Sequence, residues 1–412
     1  MRKYQSYKPS GIEWIGEIPE RWKLGRLGYY SNVYRGSGYQ YLNQVDDEFE
    51  KKKEKVVRIS DITDFNPIWC EYLEQFENYR IEKSNILMGG TGHYFGKSIF
   101  VNEKMEGLIH SYNIIRIVIK IQNPKYIHYY LSSSIIREQM DLSVLGSGQP
   151  FIDLQGLKDL IILVPPLHEQ EQIVKYLDEK TSIIDKLIST KERKIKLLKE
   201  QRTSLINEVI TKGLNPNVKM KDSFVEWIGE IPDGWVVIKL KYVGKINSGD
   251  GISSELIDNE GTYPVYGGNG IMGYFNNYNF SHKVLSIGRV GEKCGNVHLV
   301  SQKSWINDNS LVLDLRNNEM DINYLFNTLT SRNLNSIRNQ NTQPLITGTM
   351  VKDEFIPKPP LHEQQQIVEY LNKHTKEIDD LVGLEQRKIE LLKEYRQSLI
   401  SEVITGKIKV VE

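Results

Sequence analysis

Several short stretches of this sequence combine Arg, Lys, Ser, Asn and Gln with Gly. Such side chains carry the donors and acceptors that match base edges, and Gly lets a backbone approach phosphate. In the first half the stretches supply Arg35, Ser37 and Tyr39, then Thr91, His93, Tyr94 and Lys97, then Ser147 and Gln149. Their counterparts in the second half supply Ser248, Asn269, Arg289, Lys293, Asn341 and Gln343. Taken singly, each stretch also reads as an ordinary turn.

Other chemistry fails on spacing. GGTGHYFGKS ends like a phosphate-binding loop, but the first Gly of G-x-x-x-x-G-K-S would fall on Thr91. The strand-like SIFV follows, where a phosphate site needs a helix N-terminus. Asn123-Pro124-Lys125-Tyr126 is close to the N-P-P-Y of adenine methyltransferases, with Lys125 in place of the second Pro. No glycine-rich cofactor fingerprint precedes it. His168 and His362 sit at equivalent places in two PPLHEQ strings and read as capping or interface residues. No His, Asp or Glu group repeats with metal-ligand spacing, and Cys70 and Cys294 alone cannot build a structural zinc site. The reading is a chain with no catalytic centre, no metal and no cofactor of its own.

The elements that must position these stretches come from a repeat. PPLHEQEQIVKYL begins at Pro165 and PPLHEQQQIVEYL at Pro359, and 30 of the 50 residues aligned from there are identical. A repeat of this quality divides the chain before any fold is assigned. After the paired prolines, which suit a helix start, no Gly or Pro appears until Gly213. Leu177, Ile184, Ile188, Lys191, Ile195 and Leu198 fall on one seam with three- and four-residue spacing. In the second copy the seam runs Leu371, Ile378, Val382, Glu385, Ile389 and Leu392. That is the signature of a coiled coil, and roughly 45 residues exceed the usual globular helix. A link of about a dozen residues spans at most about 45 Å, too short to return along a helix of roughly 65 Å. The two helices are therefore expected to pair antiparallel as a pseudo-two-fold repeat, with Lys191 meeting Glu385 and the variable blocks at opposite ends of a rod.

The 412 residues allow two or three domains with real cores. The net charge of zero places any nucleic-acid contact in local patches or on a shared surface. No stretch approaches 18 consecutive apolar residues, and MRKYQSYKPS lacks an apolar signal region, which together predict a cytoplasmic protein. In the first block LGYYSNVYRGSGYQYL, VVRISDI, NILMGG, KSIFV and NIIRIVIKI read as strands, and residues 127–140 as one helix. The charge run EFEKKKEK reads as a solvated loop or helix. In the second block VLSIG, GNVHLV and SLVLDL read as strands and residues 322–334 as a helix. The class is α+β: two β-rich blocks separated by two long helices.

Each block opens on a matched string, EWIGEIPERW and EWIGEIPDGW. The order W-I-G-x-I-P-x-x-W, β-rich block, PPLHEQ-x-x-IV-x-YL and a helix ending E-V-I-T occurs twice and covers nearly the whole chain. It resembles the specificity subunit of type I restriction–modification enzymes. The resemblance implies target-recognition domains at 1–164 and 215–358, each reading half of a split sequence on double-stranded DNA. It implies spacer helices at 165–214 and 359–412 that dock two methyltransferase subunits. Those partners would bind S-adenosylmethionine and methylate adenine, and motor–nuclease subunits would use ATP and Mg. A self-contained methyltransferase or nuclease, and a coiled-coil scaffold that reads no DNA, are the alternatives.

Overall fold

The computed structural model describes residues 3–38, 44–48, 51–142, 151–316, 318–339 and 344–410. Two compact units form: residues 1–190 with 387–412, and residues 191–386. Each unit contains one β-rich block and about half of each long helix.

The first unit starts with strands β1 (Tyr7–Pro9), β2 (Glu17–Pro19) and β3 (Lys23–Arg26). A helical turn α1 (Leu27–Tyr30) leads to β4 (Ser31–Arg35), β5 (Lys53–Val57) and β6 (Ile68–Glu71). Then come β7 (Ile86–Gly89), β8 (Ser98–Phe100), β9 (Ile109–His110) and β10 (Ile114–Ile119). Helices α2 (Pro124–Leu131), α3 (Ser134–Leu142) and α4 (Leu154–Asp159) precede β11 (Ile161–Val164) and the long α5 (Leu167–Lys212).

The second unit repeats the plan. It has β12 (Met220–Asp222), β13 (Glu230–Pro232), β14 (Val236–Lys239), β15 (Gly244–Ser248) and the hairpin β16 (Tyr263–Gly267) and β17 (Gly270–Phe275). Strands β18 (Val284–Gly288), β19 (Val297–Val300), β20 (Trp305–Ile306) and β21 (Ser310–Leu315) follow. Helices α6 (Ile322–Arg332) and α7 (Gly348–Asp353), strand β22 (Phe355–Lys358) and the long α8 (Leu361–Ile404) complete it.

Sheet topology matches strand for strand. The four-stranded antiparallel sheets run β4-β10-β7-β8 and β15-β21-β18-β19. The three-stranded sheets run β6-β5-β9 and β17-β16-β20, and in each the last pair is parallel. The central strands are apolar and buried, as in Ile86–Gly89 and Val284–Gly288, because both faces are covered.

The repeated PPLHEQ strings act as latches. His168 and His362 are exposed, while the Glu and Gln after them do the holding. The Trp22 indole Nε1 donates to Glu169 at 2.9 Å, and Trp235 donates to Glu363 at 2.9 Å. The Gln170 amide donates to the Pro165 carbonyl at 2.8 Å and accepts from the Asn123 N–H at 3.0 Å. Gln364 does the same with Pro359 and Asp321, both at 2.8 Å. Asn123 and Asp321 are N-caps of α2 and α6, which gives Asn123-Pro124 a structural role. The Tyr126 hydroxyl bonds the Leu163 and Ile404 carbonyls, and the Tyr324 hydroxyl bonds those of Pro357 and Ile210. Each unit thereby ties its block to the start of one long helix and the end of the other.

The long helices pair antiparallel along the seam. Leu177, Ile184, Leu198, Leu371, Ile378 and Ile389 are buried, and Ile188, Ile195, Val382 and Leu392 are half-buried. Glu385, with a side chain 3% exposed, accepts from Lys191 at 2.8 Å and Lys194 at 3.0 Å.

Four expectations from the sequence need correction. Residues 127–140 are not one helix but lie in α2 and α3, broken at Ser132 and Ser133. Those hydroxyls take the His128 and Tyr130 carbonyls at 2.8 and 2.6 Å, which offers the backbone an alternative to continued helix. Leu27–Tyr30 is helical rather than extended, since burying Leu27 completely overrides local strand propensity. The charge run enters the central strand of a sheet from Lys53 onward, where Lys53 and Lys55 lie 4.9 and 4.8 Å from the Trp69 ring. VVRISDI stays extended only to Val57, and a 3-10 turn covers Ile59–Ile62.

Two stability tests follow from this geometry. Reversing charge at Lys191 to Glu should destabilise the protein, and reversing Glu385 to Lys as well should restore part of the loss. The coupling should lie at about 0.5–3 kcal/mol in a double-mutant cycle of urea melts, and strict additivity would contradict the contact. Phe224 holds φ +58° with 92% of its surface exposed, and its counterpart Gly11 has φ +77°. Left-handed backbone costs a non-glycine residue about 1–2 kcal/mol, and glycine's unfolded-state entropy offsets about 0.4–1 kcal/mol. Phe224→Gly should therefore raise stability by about 0.5–1 kcal/mol in the same melts.

Candidate nucleic-acid interface

Long-range strand pairing gathers the polar stretches at the end of each four-stranded sheet. In the first unit β4 leads into Gly36, β7 into the 90–97 loop, and a tight turn joins β9 to β10. Gly90 N–H donates to the Asn113 carbonyl at 2.9 Å, and Ile152 N–H to the Gly90 carbonyl at 3.2 Å. Ser37 N–H donates to the His110 carbonyl at 3.1 Å. The second unit closes its own tip in the same way. Arg289 N–H donates to the Asn309 carbonyl, and Ile346 N–H to the Arg289 carbonyl, both at 2.9 Å. Asp250 N–H donates to the Ile306 carbonyl at 3.0 Å.

The central loop has one backbone geometry in both units. Gly89 N–H bonds the Lys97 carbonyl at 2.8 Å and Gly96 N–H bonds the Gly89 carbonyl at 2.9 Å. Gly288 and Asn296, and Gly295 and Gly288, repeat these bonds at 2.9 and 2.7 Å. A Cβ on Gly89 would stand 2.2 Å from the Tyr94 carbonyl oxygen, and one on Gly288 would stand 2.1 Å from that of Gly268. Gly92, Gly96, Gly291 and Gly295 all hold positive φ. The sequence signal is a shared G-x-x-G-x-x-x-G at 89–96 and 288–295, with a shared G-x-G at 36–38 and 249–251. Aligning the blocks on these glycines matches loop to loop, while the stretches that stand beside each loop come from strand pairing.

The side chains on this common frame differ. Arg35 donates to the Ile152 carbonyl at 3.0 Å, and its guanidinium lies 5.2 and 4.9 Å from the exposed rings of Tyr112 and Phe151. Its Nη1 is buried and has no hydrogen-bond partner among the described residues. Lys97 Nζ stands 3.4 Å from His93 Nε2 and 5.2 Å from the Tyr94 ring. Thr91 bridges to Phe151 through the backbone. Ser37 is 1% exposed, so its hydroxyl cannot reach a ligand, which corrects its selection as a surface contact. The cause is Gly36, pressed against the His110 and Ser111 carbonyls, which draws the chain inward. In the second unit Arg289 Nη1 donates to the Ser248 hydroxyl at 3.2 Å. Asn269 accepts from Asn296 at 3.2 Å and shares with Lys293, Asn307 and Asn309 a cleft of about 510 Å³. Tyr39, Ser147, Gln149, Asn341 and Gln343 lie outside the described residues. Tyr112, Phe151, Asn113 and Asn309 were missed from sequence, because strand-end turns carry no periodic signal.

His110, fully buried, and His128, half-buried, set an acid limit on the first unit. Burial, reinforced by the nearby Arg116, pushes His110 down to about 3. Burial, with Arg396 and Lys125, pushes His128 down to about 4. Both stay neutral in the folded protein and take up protons on unfolding, so the stability they contribute is present above the ordinary value near 6.5 and is lost as pH falls. Urea melts should show this unit losing up to about 2 kcal/mol per histidine between pH 7.5 and pH 5. His110→Asn should flatten that dependence.

Among the described residues no group of three or more His, Cys, Asp or Glu side chains is placed to hold a metal ion. No helix there is long and apolar enough to cross a membrane. The sequence model described as Type I restriction modification DNA specificity domain matches residues 19–197 and 232–393. The chain is 26% identical to the putative type I restriction enzyme MjaX specificity subunit of Methanocaldococcus jannaschii, covering 96% of each chain. It is also 26% identical to the MjaVIII specificity subunit of the same organism, covering 95% of this chain and 94% of the other. A solved chain from work on complex assembly and conformational transition of the type I R-M system superposes with TM-score 0.72 at 20% identity. That match covers 95% of this chain and 99% of the other. The HsdS subunit from Thermoanaerobacter tengcongensis superposes with TM-score 0.50 at 18% identity, covering 95% and 98%.

Proposed function

The chain belongs to the type I restriction–modification DNA specificity family, and from that premise we propose that it is the sequence-reading subunit of such a complex. Each recognition domain reads one half of a bipartite site on double-stranded DNA, and the antiparallel helices set the unread spacing between halves. The observation that carries this reading is the tip built twice with one backbone and different side chains. A fixed frame suits one way of docking on a duplex, and changed side chains suit two different half-sites.

The chain contributes recognition and no catalytic centre. Two methyltransferase subunits would bind S-adenosylmethionine, and motor–nuclease subunits would use ATP and Mg, with the whole acting in the cytoplasm. Leu187 and Leu197 on α5 are 45% and 55% exposed, and the equivalent Leu381 and Leu391 on α8 are 43% and 57% exposed. Exposed leucines at equivalent positions of the two helices suit two copies of one partner.

The test maps methylated positions in DNA from cells carrying the complex. The unaltered protein should give a split site with an unread centre. Inserting four residues after Thr211 adds about 6 Å of helix, close to two base pairs at about 3.4 Å each. The unread spacer should lengthen by one or two base pairs with both half-sites unchanged. An unchanged spacer at full activity would remove the helices as the ruler.

A further inference from the structure

Among the described residues, the two tips share one polar side chain at one position. Strand register equates β10 with β21: Ile115 pairs Arg35 as Leu311 pairs Ser248, and Ile114 pairs Gly89 as Ser310 pairs Gly288. Immediately before each strand stands an asparagine, Asn113 or Asn309. The backbone carbonyl of each accepts the N–H that follows the first loop glycine by one residue, at 2.9 Å in both units. Neighbouring positions differ between the units: Thr91 is replaced by Val290, His93 by Glu292, and Tyr112 by Asp308. Neither asparagine amide makes a side-chain hydrogen bond to a described residue. Asn309 is exposed and Asn113 is half-exposed.

A carboxamide offers one acceptor beside one donor pair. In the major groove adenine presents the complement, an N7 acceptor beside an N6 amino donor. The amides stand in the same place on the same frame, with their hydrogen-bonding capacity unused inside the protein. Where neighbours diverge with the sequence to be read, an unchanged reader implies an unchanged base. We propose that Asn113 and Asn309 each read an adenine, at the corresponding position of the two half-sites. This rests on the bipartite reading above and adds a base identity, a pair of residues and a shared position.

The experiment uses the full complex and maps methylated sites for four single variants: Asn113→Ala, Asn113→Asp, Asn309→Ala and Asn309→Asp. Each alanine variant should lose discrimination at one A·T pair by about 5- to 150-fold, only in the half-site read by its own unit. Each aspartate variant keeps the side-chain size but exchanges the donor for an acceptor. It should shift the preferred base from adenine toward cytosine, whose N4 amino group donates. A role in holding the turn alone would lower binding to all sites equally, without changing the preferred base, and would overturn the assignment. Relaxation at a G·C pair, at different places in the two half-sites, or at no position would overturn it too. Failure of the unaltered complex to give a split site would instead defeat the bipartite reading itself.

Discussion

A helix of 46 residues with a single apolar seam is unstable in water until another surface covers that seam. Everything else in this protein follows from how the cover is provided. The chain supplies a second helix of 44 residues with the same seam, running the other way. Because the two are copies, the seam's polar layer falls at corresponding residues. Lys191 and Glu385 are equivalent in sequence and are also partners in space, at 2.8 Å. Glu385 is tolerated in a closed seam because two ammonium groups satisfy it.

Pairing the helices this way would still leave the β-rich blocks loose. The latches remove that freedom with buried, directional bonds. An indole N–H left without its carboxylate, or a Gln amide without its carbonyl, costs about 1–3 kcal/mol once buried. Trp22 with Glu169 and Trp235 with Glu363 are therefore anchors as well as packing residues. The hydroxyls of Tyr126 and Tyr324 add a bond to a carbonyl near the far end of the other helix. Each block is thus fixed on segments from both repeats, and neither half of the sequence builds a unit alone.

Held on that base, the sheets present tips whose backbone is set by glycine and whose side chains are free to change. Gly89 and Gly288 admit no Cβ, so the frame tolerates little variation. The positions between the glycines face few such limits. This division lets one scaffold carry two surfaces of different chemistry, with Arg35 against Tyr112 and Phe151 in one and Arg289 against Ser248 in the other.

Local pattern was enough to give the helices, their seam and their antiparallel sense. Helix bonds join residues four apart, so periodicity, the paired prolines at Pro165 and Pro359, and Gly213 mark the elements locally. The short link then decided direction by reach alone. Only tertiary structure decided the tips. Arg35 lies opposite Ile115, and Ser248 opposite Leu311, across gaps that no local pattern encodes. The same pairing buried Ser37 and brought Asn113 and Asn309 to matching places. It also gave the Glu and Gln of PPLHEQ their work, since their partners Trp22, Asn123, Trp235 and Asp321 are distant in the chain. A strand records which face it buries, but its partner is chosen by the packing of the whole sheet.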